Sequence, residues 1–159
     1  MDKISTCLWF DGQAEEAAKF YTTIFGNSRI GNIIRANEAI PVGGRTSGTA
    51  LLVEFELEGR QFQGLNGGSQ FKFTEAISLV VDVGTQDELD TLWDKLLAGG
   101  GKPQACGWLK DQFGLSWQIV PRRLMQLMLD PKTSARTTKA MLQMIKFDIA
   151  ALQKAAKAA

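Results

Sequence analysis

The sequence predicts an α+β fold in which two βαβββ modules are paired and a helical tail follows them. A length of 159 residues suits one domain or two small packed halves. A strand, Asp11, a helix and Gly26 are repeated further along as a strand, Asp82, a helix and Gly99, and more strands follow each helix. Because such a repeat sets the fold, we expect the modules to form one curved mixed sheet with outer helices and a cup inside.

The predicted domain covers residues 1–121, with modules of about 1–70 and 71–121. It ends at Pro121, because a proline cannot continue an interior strand ladder. We expect residues 122–159 to form a C-terminal helical extension that packs on the same domain. The stripe that predicts a helix there consists of Met141, Met144, Ile145, Ile149 and Leu152.

The first module begins with a predicted buried strand and an amphipathic helix. Residues 4–10, ISTCLWF, are dense in apolar and β-favouring residues. Between Ala14 and Phe25 apolar residues recur at i, i+3, i+4 and i+7, which indicates one buried helix face. Asp11 is expected to cap this helix.

The rest of the first module predicts a hairpin. Residues 28–36 are compatible with a strand, and residues 37–48 are rich in turn formers and predict a loop. From Thr49 apolar and polar residues alternate, and the alternation breaks at Glu58-Gly59 before it resumes. This pattern is typical of two antiparallel strands joined by a tight turn.

The second module repeats these signals. Residues 75–83 predict a strand that is buried on both faces. Thr85 with Glu88 three residues later forms a capping box for the next helix, on whose apolar stripe Trp93 is expected to be core. A second hairpin is expected to turn between Asp111 and Gly114.

Composition excludes several classes of protein. The formal net charge of +1 gives no strong field for nucleic acid or an anionic membrane, and no apolar run approaches the roughly 20 residues that span a bilayer. The N-terminal sequence does not resemble a signal peptide. The two cysteines, Cys7 and Cys106, are far apart and suit a reducing compartment, so we expect a cytoplasmic protein.

The chain contains no histidine. This removes the commonest metal ligand and the commonest general base at neutral pH. A Ser-His-Asp triad, a Cys-His pair and a three-histidine zinc site are therefore excluded. Any catalysis must use carboxylates, lysine, tyrosine, cysteine or backbone dipoles, and the residues do not identify a catalytic group.

Four blocks of sequence resemble the PhnB-like group of the vicinal-oxygen-chelate superfamily, which includes glyoxalase I, extradiol dioxygenases and bleomycin- or fosfomycin-resistance proteins. The blocks are LWFDGQAEEAAKFYTTIF, EFELEGRQFQGLNGG, FKFTEAISLVVDV and CGWLKDQFGLSWQIVP, and the likeness covers about residues 4–121. The resemblance implies a pair of βαβββ modules and, in many relatives, a homodimer.

The group also carries the label 3-demethylubiquinone-9 3-methyltransferase, and the sequence argues against that activity. Methyltransferases usually have a parallel doubly wound sheet with a glycine-rich turn after the first strand. Here the first strand ends in FDGQAEE, and the glycine-rich GLNGG follows a predicted antiparallel hairpin.

Metal-dependent members of the superfamily place four ligands inside the cup. The resemblance maps these positions to Thr6, Asn66, Ala76 and Gln118. None is a histidine or a carboxylate, and neutral oxygens bind zinc or iron poorly. We therefore expect neither a bound metal nor a cofactor.

Gln118, Asn66, Thr6 and Trp108 are the candidate ligand-binding residues. In LSWQIV, Gln118 is expected to face the cup while Trp117 packs beneath the helices. The Gln118 amide suits a ligand's carbonyl or hydroxyl group, and a structural role for it remains equally open. Trp108 is a candidate because its strand precedes a loop.

Both cysteines are expected to pack as small hydrophobic residues. Cys106 is expected on a strand beside Trp108, and its thiol lacks the basic surroundings that would ionise it. Residues 66–68, NGG, are interpreted as a turn rather than as an anion-binding loop.

The residues and the resemblance together predict a homodimeric protein that binds a small organic molecule in its cup without the usual metal. The alternative is a metal-dependent enzyme of glyoxalase or dioxygenase type, a lyase or an oxidoreductase, which would need ligands such as Glu54, Glu56 or Glu75. An interaction module is a third possibility, supported by the tail helix. No nucleic acid and no membrane is expected as a partner.

Overall fold

The structure is a computed structural model, and it describes residues 3–37 and 48–158. The chain divides into two compact units, Met1–Phe73 and Thr74–Ala159, which we call the N-terminal and C-terminal units. The elements of the N-terminal unit are β1 (Thr6–Phe10), α1 (Ala14–Ile24), β2 (Arg29–Arg35), β3 (Ala50–Leu57) and β4 (Arg60–Asn66). Most of the predicted loop over residues 37–48 lies outside the described residues.

The C-terminal unit repeats this order and adds three helices. Its elements are β5 (Ser78–Val83), α2 (Gln86–Leu97), β6 (Lys102–Pro103), β7 (Trp108–Lys110), β8 (Ser116–Pro121), α3 (Arg122–Leu129), α4 (Ser134–Met141) and α5 (Ile149–Lys157). The strand orders are β1-β4-β3-β2 and β5-β8-β7-β6. In each sheet the first strand of the module is parallel to the last, and the other pairs are antiparallel. The predicted pair of βαβββ modules with a helical tail is confirmed.

Helix α1 packs on one face of the N-terminal sheet. The Tyr21 ring lies 6.2 Å from that of Phe55, which stacks on Phe62 at 5.4 Å. Gly64 allows this approach, because a Cβ there would lie 3.1 Å from the Cβ of Ala14. Burying one such aromatic side chain contributes roughly 1.5–3 kcal/mol. We call the opposite face of this sheet the N-terminal open face.

The first strand of each module is less buried than predicted. β1 and β5 lie at the edges of their sheets. Ile4, just before β1, is 87% exposed, and Val80 in β5 is 57% exposed. The predictions of a buried strand over residues 4–10 and of full burial over 75–83 are wrong in this respect, because apolar density does not reveal which strand will form an edge.

The two module helices begin differently. Thr85 caps α2 by accepting a hydrogen bond from the Glu88 N–H at 3.2 Å, and Glu88 accepts one from the Gly84 N–H at 2.7 Å. The predicted cap by Thr85 is confirmed, whereas the returning hydrogen bond of Glu88 goes to the residue before the N-cap instead of to Thr85 itself. The N-cap of α1 is Gln13, which makes no side-chain cap, so the prediction that Asp11 caps this helix is wrong.

The C-terminal extension lies within the C-terminal unit. The segment between α4 and α5 accepts backbone hydrogen bonds from the Cys106 N–H, through Met144 at 2.8 Å, and from the Gly107 N–H, through Ile145 at 2.7 Å. The Phe147 ring is 2% exposed and lies where a side chain on Gly107 would be. The extension therefore covers the turn that leads into β7.

The apolar stripe predicted for the tail is interrupted. Helix α4 ends at Met141 and α5 begins at Ile149, so the stripe spans a turn. Asp148 caps α5 by accepting a hydrogen bond from the Ala151 N–H at 2.8 Å. Within residues 3–37 and 48–158, no helix is long and apolar enough to cross a bilayer.

Candidate ligand-binding groove on the N-terminal sheet

Side chains on the N-terminal open face form three rows that cross all four strands. The strand register defines them, since alternate residues of a strand share one face. The apolar row is Trp9, Leu65, Leu52 and Ile34, and the middle polar row is Cys7, Gln63 and Glu54 together with Asn32, which bonds to Glu54. The outer polar row is Gln61, Glu56 and Arg29, and Ser5, just before β1, lines the same groove. Polar and apolar side chains are thus separated across the sheet.

A groove of about 370 Å³ lies over the two polar rows. Members of both rows line it, from Ser5 before β1 to Arg29 at the start of β2. Ligand sites usually measure roughly 300–1,000 Å³ and contain a few convergent polar groups. The groove is therefore large enough for a small organic molecule.

In the outer row, Glu56 and Arg29 form a two-point ion pair. The Arg29 guanidinium donates from Nε to Oε2 at 2.9 Å and from Nη2 to Oε1 at 2.6 Å. These contacts hold the pKa of the Glu56 carboxyl below its usual value. Both oxygens of Glu56 and the fork of Arg29 are thus engaged with each other.

In the middle row, a β-bulge positions Glu54. Ile30 pairs with Phe55 and Ile33 with Val53, so Gly31 and Asn32 together stand opposite Glu54. The bulge directs the Asn32 amide to Glu54, where Nδ2 donates to Oε2 at 2.8 Å. Bulges that re-aim a side chain are frequent beside functional sites.

Gly31 gives the bulge the room it needs. A Cβ at this position would lie 3.3 Å from both the Cβ and the carbonyl oxygen of Glu54. That separation is tight for a carbon contact, so a larger residue would push β2 away from β3. The glycine and the asparagine together therefore fix the Glu54 carboxylate over the groove.

Gln63 and Cys7 complete the middle row. Gln63 is directly opposite Glu54 on β3 and beside Cys7 on β1. Cys7 is exposed, so the prediction that it packs as a small hydrophobic residue is wrong. Partial desolvation raises the pKa of the Cys7 thiol, which therefore stays protonated at neutral pH.

The structure places Thr6 and Asn66 on the helix side of the N-terminal sheet. Thr6 alternates with Leu8 and Phe10, which are both buried. Asn66 is 2% exposed; its Oδ1 accepts from the Ala14 N–H at 3.0 Å and its Nδ2 donates to the Ala50 carbonyl at 2.8 Å. The side-chain hydrogen bond to the first turn of α1, which was expected from Asp11, is thus supplied by Asn66.

Gln118 and Trp108 lie opposite each other on neighbouring strands of the C-terminal sheet. Both are partly exposed, whereas Trp117 is 2% exposed and donates from Nε1 to Asp111 Oδ2 at 2.8 Å. The predicted alternation of Trp117 and Gln118 is confirmed. Gln118 Nε2 donates to Ser78 Oγ at 2.8 Å. A ligand contact for Gln118 or Trp108 stays a prediction.

Cys106 lies in a turn with φ 58°, not on a strand as predicted. Its thiol is half-buried and contacts the Met141 carbonyl at 3.7 Å. The predicted strand began before Cys106, whereas β7 begins at Trp108. The sequence of the turn at Cys106 and Gly107 resembles that of an extended segment.

The metal positions implied by the resemblance do not suit a transition metal. Ala76 offers no ligand atom, and both amide atoms of Asn66 are engaged with the backbone. Thr6 and Gln118 offer neutral oxygens. Among the carboxylates of the alternative, Glu75 pairs with Lys110 at 2.7 Å. In the described part of the chain, no three or more Cys, Asp or Glu side chains form a group that could hold a metal ion.

The groove contains residues that the sequence did not single out. The sequence could have placed Gln61 and Gln63 on one face of the second hairpin strand, because they alternate with Phe62 and Gly64. Glu54 was considered as a metal ligand. Asn32 had no recognisable signal, since its role depends on the bulge.

Comparison with known proteins identifies the family. The family model described as 3-demethylubiquinone-9 3-methyltransferase matches residues 2–120. The PhnB protein from Bacillus cereus is 36% identical, over 76% of this chain and 99% of that chain, with a TM-score of 0.68. No curated protein matches the chain.

Two more distant structures share the fold alone. Protein PA1353 from Pseudomonas aeruginosa is 16% identical over 76% of this chain and 98% of its own, with a TM-score of 0.60. The fosfomycin resistance protein FosX from Listeria monocytogenes is 13% identical over 76% and 93%, with a TM-score of 0.50. The chain therefore belongs to the PhnB-like family described as 3-demethylubiquinone-9 3-methyltransferase.

Proposed function

We propose that this protein binds a small organic molecule in the groove over the two polar rows of the N-terminal open face, without a bound metal. The observation that carries the proposal is the groove itself, whose size suits a small ligand and whose carboxylates are held by neighbouring side chains. The fold supports it, since FosX, a fosfomycin resistance protein, has the same architecture.

The methyl transfer named in the family's description is not part of this proposal. Both sheets are mixed, and each contains one parallel pair. A doubly wound parallel sheet, which usually holds the methyl donor in such enzymes, would require consecutive βα units.

Binding can be tested by NMR titration of the ¹⁵N-labelled full chain with a set of small polar compounds. We expect the amide signals of Glu54 and Gln63 to shift with at least one compound. Gln63→Ala should weaken that binding by about 1 kcal/mol, the contribution of one hydrogen bond. Gln143→Ala, at an exposed position in the C-terminal unit, is the matched control. Binding that shifts signals elsewhere and ignores Gln63→Ala would contradict the proposal.

The metal-free part of the proposal has its own measurement. We expect elemental analysis of the purified and dialysed protein to find no transition metal in stoichiometric amount. About one zinc, iron or nickel ion per chain would instead favour an enzyme of glyoxalase or dioxygenase type.

We also propose that the protein is a homodimer. Several large apolar side chains are exposed, including Ile77 at 68%, Leu129 at 77% and Leu142 at 58%. Exposed apolar surface and sheet edges are commonly covered by a second copy. Sedimentation at micromolar concentration should give twice 17.4 kDa, and a monomer would refute the dimer.

The proposed compartment is the cytoplasm. Both cysteines, Cys7 and Cys106, are free thiols, which suits a reducing environment. Cell fractionation of the tagged full chain would test the location directly.

A further inference from the structure

We infer that the ligand of the groove carries a protonated amine together with hydroxyl groups, and that Glu54 binds the amine. The inference rests on the proposed function of the same groove. It specifies the chemical class of the ligand, which neither the fold nor the family defines.

The first argument is the balance of charge in the groove. Its charged lining residues are Arg29, Glu54 and Glu56. Arg29 and Glu56 neutralise each other through two hydrogen bonds. Glu54 is left with a neutral amide on one oxygen and with no cation among the described residues. Among the described residues, the groove lining therefore carries one more negative charge than positive.

The second argument is that local structure fixes Glu54 in place. The bulge at Gly31 and Asn32 interrupts the regular pairing of β2 with β3. It brings the Asn32 amide to Glu54, where it donates a hydrogen bond to Oε2. The second oxygen, Oε1, makes no hydrogen bond within the described residues. A carboxylate that is held by one oxygen and open at the other suits an ammonium donor.

The third argument concerns the neighbours of Glu54. Gln63 stands directly opposite on β4, and its amide makes no side-chain hydrogen bond in the part of the chain that the structure describes. An amide both donates and accepts, as the Ser5 hydroxyl does. These groups match the hydroxyls of a polyol. The apolar row lies outside the groove lining, and the two aromatic residues that belong to the lining, Phe55 and Phe62, are buried.

The same features disfavour an acidic ligand. A carboxylate or phosphate group is usually bound by the fork of an arginine, but the Arg29 fork is already occupied by Glu56. An anion in the groove would also face the carboxylate of Glu54. The inference therefore distinguishes an amine from an acid of the same size.

The test uses glucamine, sorbitol and gluconate, which share a chain of hydroxyls and differ at one carbon as amine, alcohol and acid. Each is titrated at pH 7 into the ¹⁵N-labelled full chain. We expect glucamine to shift the Glu54 and Gln63 signals and to bind about tenfold more tightly than sorbitol. Gluconate should bind most weakly, and added salt should reduce the preference for the amine.

Two variants test whether the preference for glucamine depends on the carboxylate of Glu54. Glu54→Gln keeps the size of the side chain and should bring glucamine and sorbitol to equal affinity, whereas Glu16→Gln, at an exposed position of α1, should change nothing. If sorbitol or gluconate binds the groove as tightly as glucamine, or if the preference survives Glu54→Gln, the inference is wrong and the proposed groove stands. If none of the three shifts groove signals, the inference also fails, and the polar compound set then decides whether the groove binds at all.

Discussion

The two sheets have the same strand order, but they differ in how the glutamine on the last strand of each module is hydrogen-bonded. In the N-terminal sheet, the middle row presents Glu54 and Gln63 to a groove. In the C-terminal sheet, Gln118 donates to Ser78. A repeated topology has therefore not produced a repeated site.

Two glutamines make this difference concrete. Gln63 follows the buried Phe62 on the last strand of its module, and Gln118 follows the buried Trp117 on the last strand of the other. Ser78 on the neighbouring strand accepts a hydrogen bond from the amide of Gln118, whereas the amide of Gln63 makes no side-chain hydrogen bond to any residue that the structure describes. The fold thus sets the position of a side chain, while its neighbours decide whether it is available to a ligand.

The two units also differ in the helices that pack on their sheets. The C-terminal unit contains the extension, whose large buried apolar residues include Leu124, Leu127, Phe147 and Leu152. The N-terminal unit has one helix, α1, among its residues 3–37 and 48–73. This difference gives the largest expected effect.

Deleting residues 122–159 should abolish cooperative unfolding of the C-terminal unit. Each large apolar side chain contributes roughly 1.5–3 kcal/mol when buried, and a whole domain is stable by about 5–15 kcal/mol. Circular dichroism during heating should show no cooperative transition for this unit, whereas a chain that ends at Lys157 should resemble the full chain. A truncated protein with the thermal midpoint of the full chain would show that the extension is an accessory module.

The elements of the fold were predictable because their signals are local. The Thr85 and Glu88 capping box, the Glu58-Gly59 turn and the apolar stripes all lie within a few residues. Edge position is not local, so the burial of β1 and β5 was misjudged. The cap of α1 was missed for the same reason, because Asn66 lies 52 residues away from Ala14.

The candidate site was less predictable than the fold. The alternation of Gln118 with Trp117 was visible in sequence, and the structure shows Gln118 as the more exposed of the two. Thr6 lies on the face of β1 that also carries the buried Leu8 and Phe10. The role of Asn32 needs a bulge, and a bulge depends on the register between two strands rather than on either strand alone.

The two faces of β8 should respond in opposite ways to substitution. Trp117→Ala should destabilise the protein by about 3–5 kcal/mol, as expected for a buried aromatic residue. Gln118→Ala should cost about 1 kcal/mol or less, because it removes one partly exposed hydrogen bond to Ser78. Urea unfolding of both variants measures the difference. Equal losses would mean that the register of β8 is wrong.

A similar contrast should separate Asn66 from Gln63 in the N-terminal unit. Asn66→Ala leaves the Ala14 N–H and the Ala50 carbonyl buried without a partner and should cost about 1–3 kcal/mol. Gln63→Ala should leave stability nearly unchanged, since its amide holds nothing in the described chain. Urea midpoints in the absence of ligand test this pair. A stable Asn66→Ala protein would argue that this residue is available for binding instead.

The smallest effect concerns the two cysteines, one in each unit. Cys7 is exposed, and its thiol is protonated at pH 7, since partial desolvation raises a pKa that already lies above neutral pH. Iodoacetamide should therefore modify Cys7 slowly at pH 7 and about tenfold faster with each pH unit up to pH 9, because the thiolate is the reactive form. The measurement is mass spectrometry in a Cys106→Ser background, which should itself bind groove ligands normally, since Cys106 lies in the turn beneath the extension. A modification rate that levels off below pH 8 would show that a neighbouring group lowers the pKa of Cys7, and the middle polar row would then contain a nucleophile rather than an inert thiol.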